Sequence, residues 1–303
     1  MRCRSMPKPT LHCETAAARA AARPATALAV AGVRPSKSHG QNFLVQRSVA
    51  ARIVAAAQIQ PGDQLIEIGP GLGILSEEMM RHPLRKLILV ELDARLAAAL
   101  ESRFRDDARV TVANEDFIKV DLNRLAGGSS LKIIGNLPFN LAGAILERLC
   151  GYRETVSRMI LMFQREVAER IRARAGARNY AALSVYTALY WQVGEHFRVA
   201  AGSFHPKPKV DAEVVVFAPH VTMPFRPEEE GGVLATIRAC FSAPRKTLRN
   251  ALAGGLSIEL AAAQAALARA GIDPSARAAR LVVDDFVRLS RVLGPAAASR
   301  RYA

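Results

Sequence analysis

Cysteine is scarce in this sequence, and long apolar runs are missing from it. The four cysteines among 303 residues show neither disulfide pairing nor metal-ligand spacing: Cys3, Cys13, Cys150 and Cys240. We therefore expect a reducing intracellular compartment and no bound metal. The longest apolar stretch near the start, residues 25–33, is too short to span a membrane and makes a poor secretory signal. The sequence thus argues against membrane-spanning and disulfide-stabilised secreted proteins.

Acidic residues are nearly absent from residues 1–35, which carry six basic residues and the single acid Glu14. We expect this segment to be a disordered basic extension or the product of a start codon placed too far upstream; an organelle transit peptide is the alternative. The formal net charge of the chain is +15, and the part after residue 35 is strongly basic too. Such a charge predicts a polyanionic partner, either nucleic acid or an anionic membrane surface.

Short apolar segments alternate with helical patterns, which predicts an open, doubly wound α/β sheet, and the length allows a smaller second domain. The first four predicted strands each end in glycine or polar residues: 64–68, 86–90, 109–113 and 131–134. Three more strands are predicted: 159–163, 196–199 and 213–217. Because the carboxyl ends of parallel strands lie at one edge of a sheet, that edge is the expected ligand crevice.

A proline-broken acidic linker at residues 224–230 divides the chain. We predict a basic extension, a sheet domain and a helical domain, over residues 1–35, 36–219 and 220–303. In the helical part, Pro244 interrupts a helical region that carries basic residues, and Gly254 with Gly255 predicts a turn. An alanine-rich helix and a final helix follow.

The loop after the first of these strands contains three glycines, Gly69, Gly71 and Gly73, and leads into a helix. Glycines at this place let the backbone approach a nucleotide cofactor closely. A dinucleotide is disfavoured, because the third glycine comes one residue early and Pro70 offers no backbone N–H to a pyrophosphate. A cofactor with no phosphate to hold fits better, and S-adenosylmethionine is one.

Two acids at the ends of the next strands suit the rest of this cofactor. Glu91 lies 22 residues beyond Gly69, the spacing at which a carboxylate can bind both ribose hydroxyls. Asp116, after the third strand, is placed to accept a hydrogen bond from the adenine amine. The alternative for an acid at a strand end is to cap the following helix, which Asp93 or Asp116 could do.

The segment Gly-Asn-Leu-Pro-Phe-Asn at 135–140 has two interpretations. It could form a turn, with Phe139 as a core anchor. It could instead act on the amine of adenine, a poor nucleophile because its lone pair is delocalised into the ring. The side-chain oxygen of Asn136 and a main-chain carbonyl next to Pro138 could then accept from the two amine protons, while Phe139 stacks on the ring. No general base is required, since the methylated cation can lose its proton to water.

Six ordered motifs resemble those of the ribosomal RNA adenine dimethyltransferases. They are Gln-Asn-Phe-Leu at 41–44, Glu-Ile-Gly-Pro-Gly-Leu-Gly at 67–73, Val-Glu-Leu-Asp at 90–93, Asn-Glu-Asp at 114–116, Gly-Asn-Leu-Pro-Phe-Asn at 135–140 and Pro-Lys-Pro-Lys-Val-Asp at 206–211. The resemblance runs from about residue 37 to the C-terminus. The segments at 241–250 and 271–278 resemble the bacterial small-subunit enzymes more than the large-subunit enzymes that confer macrolide resistance.

This resemblance implies a Rossmann-like, seven-stranded class I methyltransferase sheet followed by a small all-helical domain. The implied reaction uses S-adenosylmethionine, and no metal, to dimethylate the N6 amines of two adjacent adenosines near the 3′ end of 16S ribosomal RNA. The implied partner is the immature 30S ribosomal subunit, and we expect a cytoplasmic monomer without membrane contact. By motif position, the cofactor-binding residues are Gln41, Asn42, Leu44, Gly69, Gly71, Glu91, Leu92, Asp116, Phe117 and Asn136. The catalytic residues are Asn136, Leu137, Pro138 and Phe139.

The sequence departs from the family at two positions. Phe139 stands where the family usually has Tyr, so ring stacking is kept and any role of a hydroxyl is lost. Pro244 stands where the family tends to carry another basic residue, which puts one phosphate contact in doubt.

Basic residues on a stiff proline-containing loop and in the helical part are the candidates for RNA phosphate contacts: Lys207, Lys209, Arg245, Lys246 and Arg249. A solvated basic face is the alternative. Two other functions are open, namely methylation of another planar amine or amide, such as a large-subunit adenine or a protein glutamine, and non-catalytic RNA binding in ribosome assembly. Intact Glu91 and Asn136 argue against the non-catalytic function.

Overall fold

The computed structural model describes residues 42–138 and 141–294 of the chain. The predictions for the extension over 1–35, for Gln41 and for Phe139 lie outside these residues. Within them, a central β-sheet carries helices on both faces, and further helices follow its last strand.

Seven strands form one sheet in the order β4-β3-β2-β5-β6-β9-β7, and a short antiparallel pair, β1 with β8, lies apart from it. The strands are β1 (Phe43–Leu44), β2 (Gln64–Ile68), β3 (Lys86–Val90), β4 (Val110–Ala113), β5 (Leu131–Asn136), β6 (Val156–Gln164), β7 (Trp191–Val199), β8 (Phe204–His205) and β9 (Ala212–Pro219). Strands β2 to β6 pair in parallel, and β9 is antiparallel to both neighbours. The predicted seven-stranded sheet is confirmed; the β1–β8 pair was not predicted.

Eleven α-helices lie within the described ranges. They are α1 (Arg47–Ala56), α2 (Ile74–Met79), α3 (Ala94–Phe104), α4 (Leu122–Ala126), α5 (Ala142–Cys150), α6 (Arg165–Ile171), α7 (Ala182–Tyr190), α8 (Glu230–Phe241), α9 (Leu248–Leu256), α10 (Leu260–Arg269) and α11 (Val283–Leu293). The amphipathic α3 was not among the predicted helices, although Leu96 and Leu100 on its inner face are buried and Asp93 caps its first turn.

Successive residues of each parallel strand face opposite helical layers. On β2, Ile66 and Ile68 pack with α5, α7 and the C-terminal helices, whereas Leu65 packs with α1, α2 and α3. Because both faces are covered, these strands read as nearly continuous apolar runs. Glu67 is the exception: it shares the face of Leu65 and is almost completely buried.

The helices after β9 pack directly against the sheet domain. Phe241 of α8 stacks on Phe286 of α11 with ring centroids 5.8 Å apart, and Tyr180, just before α7, meets Phe241 edge-on at 6.0 Å. One continuous core cluster contains these helices, α7 and one face of the sheet. The sheet ends at Pro219, and the division into two domains at that point stays a prediction.

The turn predicted at Gly254 and Gly255 is wrong, because α9 continues through both to Leu256. Gly255 allows close helix packing rather than chain reversal. A Cβ on Gly255 would lie 2.5 Å from the Cα of Ala239 in α8, whereas a Cβ on Gly254 would meet nothing within 4 Å. The break at Pro244 is confirmed, since α8 ends at Phe241 and α9 begins at Leu248.

Within the two described ranges, no single helix is long and apolar enough to cross a membrane. Helices α9 and α10 pass that test only as a pair, bent by 119° at their junction. The same residues include no group of three or more His, Cys, Asp or Glu side chains that could hold a metal ion. Cys150 and Cys240 are free and buried, and burial raises the pKa of each thiol to about 12, so both are poor nucleophiles at neutral pH.

The paired glycines of α9 provide a test of this packing. Gly255→Ala is expected to destabilise the protein by about 1–3 kcal/mol, because the added methyl group must push α9 away from α8. The matched control Gly254→Ala should be neutral or stabilising by up to about 1 kcal/mol, since alanine favours a helix and meets open space. Urea unfolding of the two variants measures both effects, and equal stabilities would contradict the close contact.

Candidate active site

The crevice lies where the strand order reverses. From β2 the chain continues to β3 and β4 on one side, and then returns to β5 on the other side of β2. Ile68 at the end of β2 is paired with Gly135 near the end of β5. Such a reversal opens a crevice at the carboxyl ends of the strands, and here it places the glycine loop beside Asn136.

The glycine loop holds its three glycines in left-handed backbone conformations. Gly69, Gly71 and Gly73 have φ values of 62°, 57° and 77°, a region that side chains disfavour. A Cβ on Gly71 would also lie 2.8 Å from the ring of Phe43. The loop therefore requires glycine for its shape and, at Gly71, for contact with the N-terminal segment.

Glu91 connects the glycine loop to the end of β3. Its Oε2 accepts a hydrogen bond from the N–H of Gly71 at 3.0 Å, and its Oε1 accepts from the N–H of Asp93 at 3.0 Å. The side chain is buried, and burial raises the pKa of Glu91 above its usual value. Asp93, not Glu91, caps the following helix, so the capping alternative does not apply to Glu91.

The neighbouring strand β4 fixes the same region. Asn114 donates its Nδ2–H bonds to the main-chain oxygens of Glu91 at 2.8 Å and Leu92 at 3.2 Å. Leu92 itself is 55% exposed, an unusual value for a leucine at the end of a buried strand. The predicted contact of this apolar side chain with the cofactor stays a prediction.

Asp116 caps the short 3₁₀ helix Phe117–Lys119, its Oδ1 accepting from the N–H of Ile118 at 3.0 Å. The capping alternative for this residue is therefore confirmed. Oδ2 forms no hydrogen bond with another described residue, so contact with a cofactor amine stays a prediction. Phe117 is buried in the core cluster that includes Ile68 and Val90.

Asn136, the last residue of β5, is held by the N-terminal segment. Its Nδ2 donates to the main-chain oxygen of Asn42 at 2.9 Å. Because a carbonyl can only accept a hydrogen bond, this contact fixes the amide nitrogen toward Asn42 and directs the amide oxygen elsewhere. Leu137 is buried, and the N–H of Leu141 donates to the oxygen of Pro138 at 3.0 Å. The described part of the segment thus consists of the end of β5, of Leu137 and of Pro138, which is hydrogen-bonded to Leu141.

The segment of residues 42–46 lies across the crevice, and we name this segment the strap. Phe43 and Leu44 pair with His205 and Phe204 of β8, more than 150 positions away in sequence. Leu44 lines the same cavity as Gly69, Gly71 and Asn136. The strap is therefore part of the site and not a detached arm.

Glu67 is a site residue to which sequence analysis assigned no role. It lines that cavity, is 1% exposed, and accepts a hydrogen bond from the Ser76 hydroxyl at 2.5 Å. Burial, with a smaller contribution from the negative charge of Glu91, raises the pKa of Glu67 to about 8. An acid inside an otherwise apolar strand was the signal that could have identified it.

The predicted RNA-binding residues lie in two places. Lys207 and Lys209 are exposed on the loop that follows β8, next to the strap. The other three are exposed at the junction of α8 and α9: Arg245 and Lys246 lie between the helices, and Arg249 lies in the first turn of α9. None of the five forms an ion pair with another described residue, which leaves their charges available to an anion.

Four further arginines extend the second group and were not predicted: Arg174, Arg178, Arg277 and Arg280. All are exposed, and within residues 42–138 and 141–294 none forms an ion pair. The N–H of Gly176 donates to Ala279 O, and that of Leu248 donates to Ala276 O, both at 2.7 Å. These contacts join the loop after α6 to the start of α9, so seven basic residues form what we name the basic stripe. The run Arg-Ala-Arg-Ala-Gly-Ala-Arg at 172–178 was a visible signal for it.

The sheet order, the glycine loop at the strand reversal and the carboxylate after β3 together define a class I methyltransferase. The model of one family, ribosomal RNA adenine dimethylase, matches residues 33–294. The chain belongs to this family.

Individual relatives agree with this assignment. The chain is 39% identical over 266 residues to ribosomal RNA small subunit methyltransferase A of Geobacter metallireducens, covering 86% of this chain and 96% of that protein. The protein of the same name from Methylococcus capsulatus is 42% identical over 265 residues, covering 86% and 98%.

Solved structures show the same fold. A dimethyladenosine transferase from Plasmodium falciparum has a TM-score of 0.69 and 25% identity, covering 82% of this chain and 95% of that one. The 23S rRNA methyltransferase ErmE has a TM-score of 0.62 and 24% identity, covering 83% and 99%. The second likeness concerns the fold alone.

The buried carboxyl of Glu67 makes a pH-dependent prediction. Between pH ~4.5 and ~8 the folded protein holds a proton on Glu67 that the unfolded chain has released, so stability falls as pH rises through this window. Glu67→Gln should remove that fall and unfold at a higher urea concentration than the unsubstituted protein at about pH 9. Glu101→Gln, at an exposed position of α3, is the control. An unchanged pH profile in Glu67→Gln would contradict the assignment.

Proposed function

We propose that this protein dimethylates the N6 amines of two adjacent adenosines near the 3′ end of small-subunit (16S) ribosomal RNA, with S-adenosylmethionine as methyl donor. The observation that carries the proposal is the orientation of Asn136: its nitrogen is bound to Asn42, so its oxygen is available to an amine at the crevice. The family supports an adenine of ribosomal RNA as the target, and the two bacterial relatives are named for the small subunit.

The loop suits a cofactor without phosphates. Gly69 donates its N–H to Val90 O, Gly71 to Glu91, and Gly73 to Pro70 O, while Pro70 has no N–H. These groups are therefore unavailable to a pyrophosphate, which a dinucleotide site would have to hold. Glu91 would accept from the ribose hydroxyls and Asp116 from the adenine amine. The bound cofactor supplies a methyl group activated by a sulfonium.

The main task of the protein is then alignment of donor and acceptor. The oxygen of Asn136 and a main-chain oxygen next to Pro138 would accept from the two protons of the target amine and favour a more pyramidal, more nucleophilic nitrogen. Leu137 is buried and donates its N–H to Met162 O at 3.2 Å, which fixes the backbone between these two acceptors. The methylated amine loses its proton to water, so no general base is assigned.

A stacked or paired adenine cannot reach the crevice, so the target base must leave its stack. The loop with Lys207 and Lys209 lies beside the strap, and the basic stripe lies on the helical part and on the loop after α6; both would hold the flanking phosphates. Two separate phosphate contacts would position the RNA, while Asn136 contacts the base.

Further features of the proposal follow from the same family. The protein would act on the immature 30S subunit, as a cytoplasmic monomer without membrane contact. Its methyltransferase domain would span residues 36–219, and its RNA-binding helical domain residues 220–303. The continuous core between them would keep the helical-domain residues of the basic stripe at a fixed distance from the crevice.

The assignment of Asn136 can be tested by substitution. Asn136→Ala should abolish dimethyladenosine formation, a loss of about a hundredfold or more, while RNA affinity changes by less than about twofold, because the amide acts on the amine and not on the phosphates. Methyl incorporation from labelled donor is measured with naked 16S RNA, immature small subunits and a protein extract. Asn123→Ala, on an exposed face of α4, is the control. Full activity in Asn136→Ala, or label found only in protein, would overturn the proposal.

The phosphate contacts predict a salt dependence. Glutamine at Lys207, Lys209, Arg245, Lys246 and Arg249 should weaken RNA binding and lower the slope of log affinity against log salt by about 0.7 for each phosphate that is no longer bound. A control variant of equal net charge carries glutamine at five other basic positions: Arg81, Lys86, Arg105, Arg124 and Arg226. The same slope in both variants and in the unsubstituted protein would remove these residues from the RNA surface.

A further inference from the structure

The strap is anchored at its far end by a hydrogen bond between two side chains that are distant in sequence. The hydroxyl of Ser203 donates to Oε1 of Gln46 at 2.7 Å, and the N–H of Val45 donates to Ser203 O at 2.9 Å. Ser203 is buried just before β8, at 3% exposure. The end of the strap is thus held to the loop that leads to Lys207 and Lys209.

Gln46 lies at a position where a side chain usually forms a hydrogen bond with the helix that follows. It is the N-cap residue of α1, and its main-chain oxygen accepts from the N–H of Ala50 at 3.1 Å. An N-cap side chain usually satisfies a free N–H of the first turn, but that of Gln46 makes no such bond. The side chain is directed to Ser203 instead, so the contact serves the strap and not the helix.

Only four positions separate Gln46 from Asn42, whose oxygen orients the amide of Asn136. Between them, Phe43 and Leu44 are paired with β8, and the ring of Phe43 packs against Gly71. A shift at the Gln46 end would therefore be carried along a short extended segment to the Asn42 oxygen. Because the Asn136 amide turns with that oxygen, the geometry at the target amine depends on the anchor.

We propose that Ser203 and Gln46 are positioning residues for the methyl transfer: their hydrogen bond fixes the strap and, through the Asn42 oxygen, holds the Asn136 amide oxygen toward the target amine. This inference rests on the proposed function. Neither residue would touch the reacting atoms. Removing their hydrogen bond would instead impair the alignment of the methyl donor with the target amine. The effect is therefore expected in kcat, with little change in KM for RNA.

The test compares variants that remove or keep the acceptor. Ser203→Ala and Gln46→Leu should each lower kcat by about three- to tenfold, the range for one hydrogen bond. The double variant should be no worse than either single variant, because both remove the same contact. Gln46→Glu retains the accepting oxygen and should stay within about twofold of the unsubstituted protein. Gln46 is exposed, so its variants are expected to fold even if Ser203→Ala does not.

Ser129→Ala is the matched control. It removes a hydroxyl that accepts from Arg85 at 2.8 Å, near the amino ends of the strands and away from the crevice, and should leave kcat unchanged. The proposal would be overturned by an unchanged kcat in Gln46→Leu or by a raised KM with normal kcat. It would also be overturned if the loss of kcat in the double variant equalled the product of the two single losses.

A second measurement is independent of activity. In ¹⁵N-labelled protein, the side-chain NH₂ of Asn136 should exchange faster with solvent in Gln46→Leu than in Gln46→Glu, because its bond to Asn42 is weakened. If the unsubstituted protein methylates no ribosomal RNA, the proposed function fails, and this exchange still decides the positioning role. Equal exchange in both variants would refute that role.

Discussion

The parallel pairing of β2 with β5 determines where the rest of the site can lie. At the ends of these strands, a Cβ on Gly135 would be 3.1 Å from the Cβ of Ile68 and 3.2 Å from its oxygen, so the two strand ends meet closely. This contact sets the glycine loop next to Asn136. Glu91 then holds the loop from β3, and the strap holds Asn136 from the other side. The glycine loop and Asn136 are adjacent because two strands far apart in sequence are adjacent in the sheet.

The two carboxyl groups buried in the crevice suit a cationic ligand. Glu67 and Glu91 are both buried around the glycine loop, and burial raises the pKa of each. A nearby positive charge lowers the pKa of a carboxyl and offsets part of the cost of its burial. A dinucleotide, which is anionic, would have the opposite effect. Outside the crevice the charge changes sign, since exposed arginines and lysines without acidic partners lie on the loop after β8 and on the helical part.

Local sequence patterns were enough to predict the sheet and the positions of Glu91, Asp116 and Asn136 along it. Each predicted strand is an apolar run with a clear end, and the parallel arrangement brings those ends together. What the patterns could not show depends on contacts between distant segments. The pairing of β1 with β8 involves two residues on each side, which is too short for a periodic signal.

The other features that sequence patterns did not predict also depend on contacts between distant segments. A pair of glycines predicts a turn because glycine is common in turns, whereas Gly255 is required within a helix by the close approach of Ala239 in α8. Glu67 is buried and accepts a hydrogen bond from Ser76, a contact that forms only on folding. The basic stripe likewise combines a loop and the start of a helix that come together only in the folded chain. In each case the residue is visible in the sequence, but the residue that it contacts in the folded chain cannot be identified from the sequence.

The most direct test of the proposed function is mass spectrometry of ribosomal RNA from cells that lack this protein. We predict that two adjacent adenosines near the 3′ end of the small-subunit RNA lose both methyl groups each, and that returning the gene restores them. Unchanged dimethyladenosine at these positions, or methyl groups missing from the large-subunit RNA instead, would contradict the account.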